Sequence, residues 1–138
     1  MKKIEPDIGI DQFILDATKE ELLQLIDNGN WSEEYRSNVS VITYQNYKFW
    51  IHNETKKVNQ ILVFGDYSGK FLDQIGIGDT LSDIKNQIGT YYYEEYVYKL
   101  EKYPGICFEL FDCDMEEEWG ENNAPIEYIT VYKVESNM

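Results

Sequence analysis

Phe71-Leu-Asp-Gln-Ile-Gly-Ile-Gly-Asp-Thr-Leu-Ser-Asp-Ile-Lys-Asn-Gln-Ile-Gly89 restarts a pattern that the chain has already used once, from Ile8 to Asn28. Thr80 with Asp83 three positions on repeats Thr18 with Glu21, and Ile84 and Ile88 lie 62 positions after Leu22 and Ile26. A threonine at an N-cap accepts a hydrogen bond from an otherwise unpaired backbone N–H. An acidic residue three positions later reaches back to complete a capping box. Two helix starts of one design are therefore predicted, the first over Thr18 to Asp27 with Leu22, Leu23, Leu25 and Ile26 at helical spacing. Asn28-Gly29 and Gly89 close the two helices, because glycine takes the left-handed conformation that ends a helix.

The copies continue past the helices. Ser32-Glu33-Glu34-Tyr35 is matched by Tyr93-Glu94-Glu95-Tyr96, with 61 positions from Glu33 to Glu94. Runs rich in β-branched and aromatic residues follow: Val39 to Gln45, Tyr47 to His52 and Val58 to Phe64, answered by Tyr96 to Glu101, Ile106 to Phe111 and Ile126 to Val134. Tyr103-Pro104-Gly105 supplies a turn between them. Phe49 and Phe108 are 59 apart, while Ile61 and Ile129 are 68 apart. The increase falls in Asp112 to Pro125, a loop longer in the second copy. The expected fold is α+β, one domain over residues 1–138. Two tandem helix-plus-three-strand repeats, about 8–66 and 71–134, form one antiparallel sheet with helices on one face.

Side chains at i and i+2 of a strand share a face. Tyr47, Phe49, Ile51, Ile61, Val63, Ile106, Phe108, Leu110, Ile129 and Val131 are assigned to a helix-covered core. The opposite face then receives Lys48, Trp50, His52, Leu62, Phe64, Cys107, Glu109, Phe111, Tyr128, Thr130 and Tyr132. An apolar patch with polar residues scattered through it marks an interaction site. The alternative is that a loop or a second copy of the chain covers it.

With 12 basic and 26 acidic residues the chain carries a formal charge of −14, which repels nucleic acid and anionic membranes and attracts a basic protein. Plain solubility is the competing explanation of that charge. Twelve tyrosines, six phenylalanines and three tryptophans exceed the needs of a small core, and Tyr and Trp also populate interfaces. Met1-Lys2-Lys3 leads to Glu5, Pro6 and Asp7 rather than to an apolar run, so a cytoplasmic protein is expected.

No catalytic residue, metal site or cofactor is expected. His52 is the single histidine and has no nucleophile turn or phosphate loop beside it. Cys107 and Cys113 provide neither a disulfide framework nor, with one histidine, a zinc site. Gly76-Ile-Gly78 lacks the third glycine of a nucleotide loop, and Asp112-Cys-Asp114-Met-Glu116 lacks the glycine and distal glutamate of a calcium loop.

Tandem helix-then-meander halves, each opened by a glycine, a cap and a short helix, in the second half of the form Ile-Gly-Asp-Thr-x-x-Asp-Ile, resemble the β-lactamase inhibitor protein and related small bacterial modules, including outer-membrane assembly lipoproteins. In that inhibitor family the aromatic open face of the sheet and a protruding loop grip another protein. By position, the resemblance implies Trp50, Phe64, Phe111, Tyr128 and Tyr132 here. Members of that family are secreted with disulfides or a lipid anchor. This chain shows neither pattern and is similar instead to the immunity proteins of bacterial secreted-toxin systems, small acidic chains that neutralise toxins, many of them basic nucleases.

The acidic run Asp112 to Pro125 adds a second contact region, with Glu116, Glu117 and Glu118 steering a basic enzyme cleft and Trp119 as the anchor. A solvated loop is the other reading of the same charges. The expected function is a stoichiometric protein-binding inhibitor, an immunity protein whose partner is a basic toxin domain, binding through Trp50, Phe64, Glu109, Phe111, Glu116, Glu117, Glu118, Trp119, Tyr128 and Tyr132. The alternative is a homodimeric scaffold or a domain that holds a small apolar ligand.

Overall fold

Both threonines open helices in the way their spacing predicts. In the computed structural model, which describes residues 2–26, 29–111 and 123–134, helix α1 spans Lys19–Leu25 and helix α2 spans Leu81–Gln87. Thr18 Oγ1 accepts from the Glu21 N–H at 3.1 Å, and the Thr18 N–H donates to Glu21 Oε1 at 2.9 Å. Asp83 N–H to Thr80 Oγ1 is 3.2 Å, with the return bond from Thr80 N–H to Asp83 Oδ2 at 3.0 Å. Gly89 closes α2 by donating to the Ile84 carbonyl at 3.0 Å, with φ at +142°. Helix α1 ends earlier than its glycine implies. Ile26 is already extended (φ −115°, ψ 156°) and buried, so the chain leaves the helix in order to bury that side chain. Gly29 is left-handed at +81° but lies past the helix end.

The main sheet has eight strands, not the six expected. Its members are β4 (Trp31–Tyr35), β5 (Val39–Tyr44), β6 (Tyr47–His52), β7 (Val58–Phe64), β8 (Tyr91–Glu94), β9 (Val97–Leu100), β10 (Ile106–Leu110) and β11 (Ile126–Tyr132). They are arranged β4-β5-β6-β7-β11-β10-β9-β8, every pair antiparallel. The two extra strands, β4 and β8, are the edges. They contain the acidic and tyrosine segments that the sequence marked as a matched pair and did not mark as strands.

Register settles the faces. Trp31 pairs with Tyr44 and Glu33 with Ile42, so Glu33 projects to the core side, whereas Glu94 pairs with Val97 on the opposite side. Matching Glu33 to Glu94 at an offset of 61 therefore exchanges faces, as any odd slip in register must. An even offset of 60, Trp31 with Tyr91 and Glu34 with Glu94, keeps them.

Core burial follows the period-2 assignment. Phe49, Ile61, Val63, Ile106, Phe108, Ile129 and Val131 are fully buried, and one cluster joins them to Leu22 of α1, to Ile26 just past its end and to Leu81 and Ile84 of α2. Removing a buried side chain of this size from water contributes roughly 1.5–3 kcal/mol.

The start of the first copy contributes to a second small sheet of β1 (Ile4–Glu5), β2 (Gly9–Ile10) and β3 (Phe13–Ile14). Ile10 and Phe13 drive it into the core, and Phe13 meets Tyr47 and Phe49 edge-on at 4.8 Å. Asp11, held left-handed at φ +56°, accepts hydrogen bonds from the hydroxyls of Tyr47 and Tyr67. At the other end Asp7 Oδ1 accepts from the Val134 N–H at 2.7 Å, and the Asp7 N–H donates to the Gly105 carbonyl at 3.3 Å. The small sheet thus touches both halves of the large one. Gly105 is required there: its φ is +97°, and a Cβ would lie 2.6 Å from the Asp7 nitrogen.

Candidate functional site

The face of the large sheet opposite the core is built around the central pair β7 and β11. Phe64 stands opposite Tyr128, Leu62 opposite Thr130 and Gln60 opposite Tyr132. On one flank β6 places Trp50 beside Gln60 and Lys48 beside Leu62. On the other, β10 places Glu109 beside Tyr128 and Cys107 beside Thr130. Trp50, Phe64, Glu109, Tyr128 and Tyr132 are therefore neighbours on one surface, brought together from four strands. Phe111 lies past the end of β10 with 39% of its surface exposed, outside the ladder that orders the others. Glu116, Glu117, Glu118 and Trp119 lie outside the described residues.

Two β-bulges shape this surface. Trp50 pairs with Gln60 but Ile51 pairs with Val58, so Asn59 is the extra residue of β7. Glu109 pairs with Tyr128 but Leu110 pairs with Ile126, so Glu127 is the extra residue of β11. A bulge bends its strand and re-aims side chains.

The aromatic residues here are half-buried rather than bare. The Phe64 and Tyr128 rings are 6.4 Å apart and tilted, Lys48 Nζ sits 5.5 Å from the Phe64 ring, and Lys99 Nζ sits 5.7 Å from the Tyr132 ring. A cation over an aromatic face is attracted by the ring quadrupole. Lys99 also donates to Glu94 at 3.0 Å, and that bond raises its pKa.

A concavity of about 340 Å³ opens between β7 and β9, lined by Gln60, Lys99, Cys107, Glu109, Thr130 and Tyr132 and reaching Glu95 and Val97 at the β8–β9 turn. Burial, and then the charge of Glu127, push the Glu109 carboxyl above its ordinary range. Burial first, and then Glu109, push the Cys107 thiol up to about 12, so it stays protonated and unreactive at neutral pH. Burial and Glu127 also raise Tyr128. His52 uses Nδ1 to accept from the Glu54 N–H at 3.2 Å, fixing the turn after β6. Among the described residues, no three His, Cys, Asp or Glu side chains converge as metal ligands. The chemistry this surface supports is recognition: aromatic area for contact and a carboxylate that gains from a cation.

Several strongly exposed aromatic residues were missed as site candidates. Tyr92, Tyr93 and Tyr96 are 42%, 58% and 86% exposed on the β8 edge and the turn after it. The run Tyr91-Tyr92-Tyr93-Glu94-Glu95-Tyr96 was visible in the sequence but was used only as a mark of repetition.

Among the described residues no helix is long and apolar enough to cross a membrane. Compared with known proteins, the chain matches no family model, no curated protein and no solved structure.

Proposed function

We propose that this chain is a stoichiometric protein-binding inhibitor, an immunity protein that neutralises a basic bacterial toxin in the cytoplasm. The observation that carries the reading is the open sheet face, where Trp50, Phe64, Tyr128 and Tyr132 surround Glu109 on a chain of charge −14. Aromatic side chains there supply contact area, while the charge speeds encounter with a cationic partner. Inhibition proceeds by occlusion, without chemistry by the inhibitor.

The architecture that goes with this function is a duplication, each half a helix followed by a meander, with both helices on the core side of the sheet. The register supports it. An offset of 68 carries Gln60 to Tyr128 and Phe64 to Tyr132, and the observed pairs Phe64 with Tyr128 and Gln60 with Tyr132 exchange under that relation about Leu62 and Thr130. The bulges agree, since Trp50 and Ile51 are 59 positions before Glu109 and Leu110, the offset read from the strands. Two similar halves joined edge to edge give one wide continuous face, which suits a large protein partner better than a small ligand.

The test is affinity capture from the native strain with the bound species identified by mass, followed by light scattering of the complex. A one-to-one complex with a basic protein, weakened by Trp50→Ala, is the expected result. A stable dimer of the chain alone, buried through the same face, would instead establish the scaffold reading.

A further inference from the structure

The concavity on the open face is made by unequal side-chain length. Cys107 and Thr130 stand opposite each other across β10 and β11, and both are buried, 7% and 5% exposed, although they point to the open face. Longer side chains on the same face overtop them: Lys99, opposite Cys107 in register, and Tyr132, two residues beyond Thr130. Two short side chains therefore form a floor, walled by Lys99, Gln60 and Tyr132 and by Glu109, two residues along β10. The volume of about 340 Å³ lies near the lower end of the roughly 300–1,000 Å³ of ligand pockets, which is room for one side chain.

The charges around this floor do not balance. The cation that lines it, Lys99, is committed elsewhere, donating to Glu94 at 3.0 Å and lying 5.7 Å from the centre of the Tyr132 ring. Glu109 has no such partner: among the described residues its carboxylate makes no ion pair and accepts no hydrogen bond. The charge of Glu127, the bulge residue of β11, acts on it as well, and the exposed Glu95 lines the outer end of the concavity. Its neighbours thus add negative charge and supply no donor. A half-buried carboxylate with both oxygens unpartnered gains most from a cation that brings its own hydrogen bonds.

We propose that this concavity receives one arginine side chain of the protein partner, with its guanidinium on the two oxygens of Glu109 and its aliphatic stem over Cys107 and Thr130. This rests on the partner being a basic protein, as in the function proposed above. Arginine suits the place better than lysine for two reasons. Its planar fork matches a carboxylate with two parallel hydrogen bonds, and its weakly hydrated charge loses less on entering a half-buried site. Tyr128, opposite Glu109 in register, adds a ring against which a planar cation stacks. An anionic or neutral ligand is the poorer occupant, because it leaves the charge of Glu109 uncompensated.

The experiment titrates the full chain with the capped peptide acetyl-Gly-Arg-Gly-amide and follows backbone amide shifts by NMR. Saturable shifts are expected at Cys107, Glu109, Thr130 and Tyr132. Glu109→Gln is expected to weaken binding by about tenfold or more, since it removes the charge that the guanidinium meets. The same peptide with lysine, or with citrulline, which keeps the shape of arginine without its charge, is expected to bind more weakly. Glu20→Gln, on α1 and outside the concavity, is expected to change nothing, which separates the site from the diffuse attraction of 26 acidic residues. Shifts scattered over the surface, equal binding of the lysine or citrulline peptide, or indifference to Glu109→Gln overturns the arginine site. A one-to-one complex captured from the native strain that is weakened by Trp50→Ala but not by Glu109→Gln also overturns it, while leaving the proposed function standing.

Discussion

Asn59 of β7 and Glu127 of β11 are each the extra residue of a β-bulge, and they are 68 positions apart, the offset that carries Ile61 to Ile129. Burial raises the pKa of both Glu109 and Tyr128, and the carboxylate of Glu127, the bulge residue, raises both further. An acidic pair is thereby created on the open face by backbone geometry, although the two residues sit on different strands.

Glu109→Gln tests the consequence. Because the folded state raises the Glu109 pKa above its ordinary 4.5, the protonated group favours folding at acid pH, and that contribution is lost as pH rises through the folded value. At neutral pH the ionised carboxylate opposes folding. The Gln variant is expected to be more stable than wild type at neutral pH, to lose that advantage at acid pH, and to bind a basic partner less tightly. Urea titrations at both pH values measure the first two and calorimetry the third.

Alkaline stability should be governed by Tyr47 and Tyr67. Burial and the carboxylate of Asp11 raise both pKa values well above the ordinary 10.0. Their contribution is complete below that value and is lost as the unfolded chain begins to release the protons that the folded chain retains. Thermal midpoints are expected to fall as pH passes 10.0, and Tyr67→Phe is expected to make that fall shallower.

The paired caps predict paired losses. Thr18→Ala and Thr80→Ala should each reduce stability by about 0.5–2 kcal/mol in denaturant titration, with partner binding unaffected. Indifference at both sites would remove the helices as evidence of duplication.

Gly105→Ala should be more damaging than either cap. The left-handed φ and the 2.6 Å approach of the Asp7 nitrogen both oppose a Cβ, and a loss of about 1–3 kcal/mol is expected. Hydrogen exchange should place the loss in the contact between the small sheet and the Gly105 turn. Uniform loosening of the large sheet would contradict it.

On the open face, Trp50→Ala and Tyr132→Ala should weaken partner binding by about 2 kcal/mol if these are anchors, while changing stability less. Simple unfolding of both variants would show that the face serves the fold and not a partner.

Local chemistry was legible in the sequence. Thr18 with Glu21 and Thr80 with Asp83 form hydrogen bonds that close within three residues, so spacing alone specifies them. The core faces of β6, β7, β10 and β11 followed from taking every second residue within stretches that the bulges at Asn59 and Glu127 do not interrupt. Edge strands were not legible: β4 and β8 each pair with one strand among the described residues, and it is pairing with β5 and β9, as of Trp31 with Tyr44 and Tyr91 with Leu100, that makes them strands. Contacts between distant residues required the folded chain. Asp11 is 36 residues from Tyr47 and 56 from Tyr67, and Gly105 is a turn residue in sequence but a close-approach site in space. Such contacts depend on where whole elements come to rest, and that position is decided by the shared core into which Ile10, Phe13, Leu22 and Ile84 are packed.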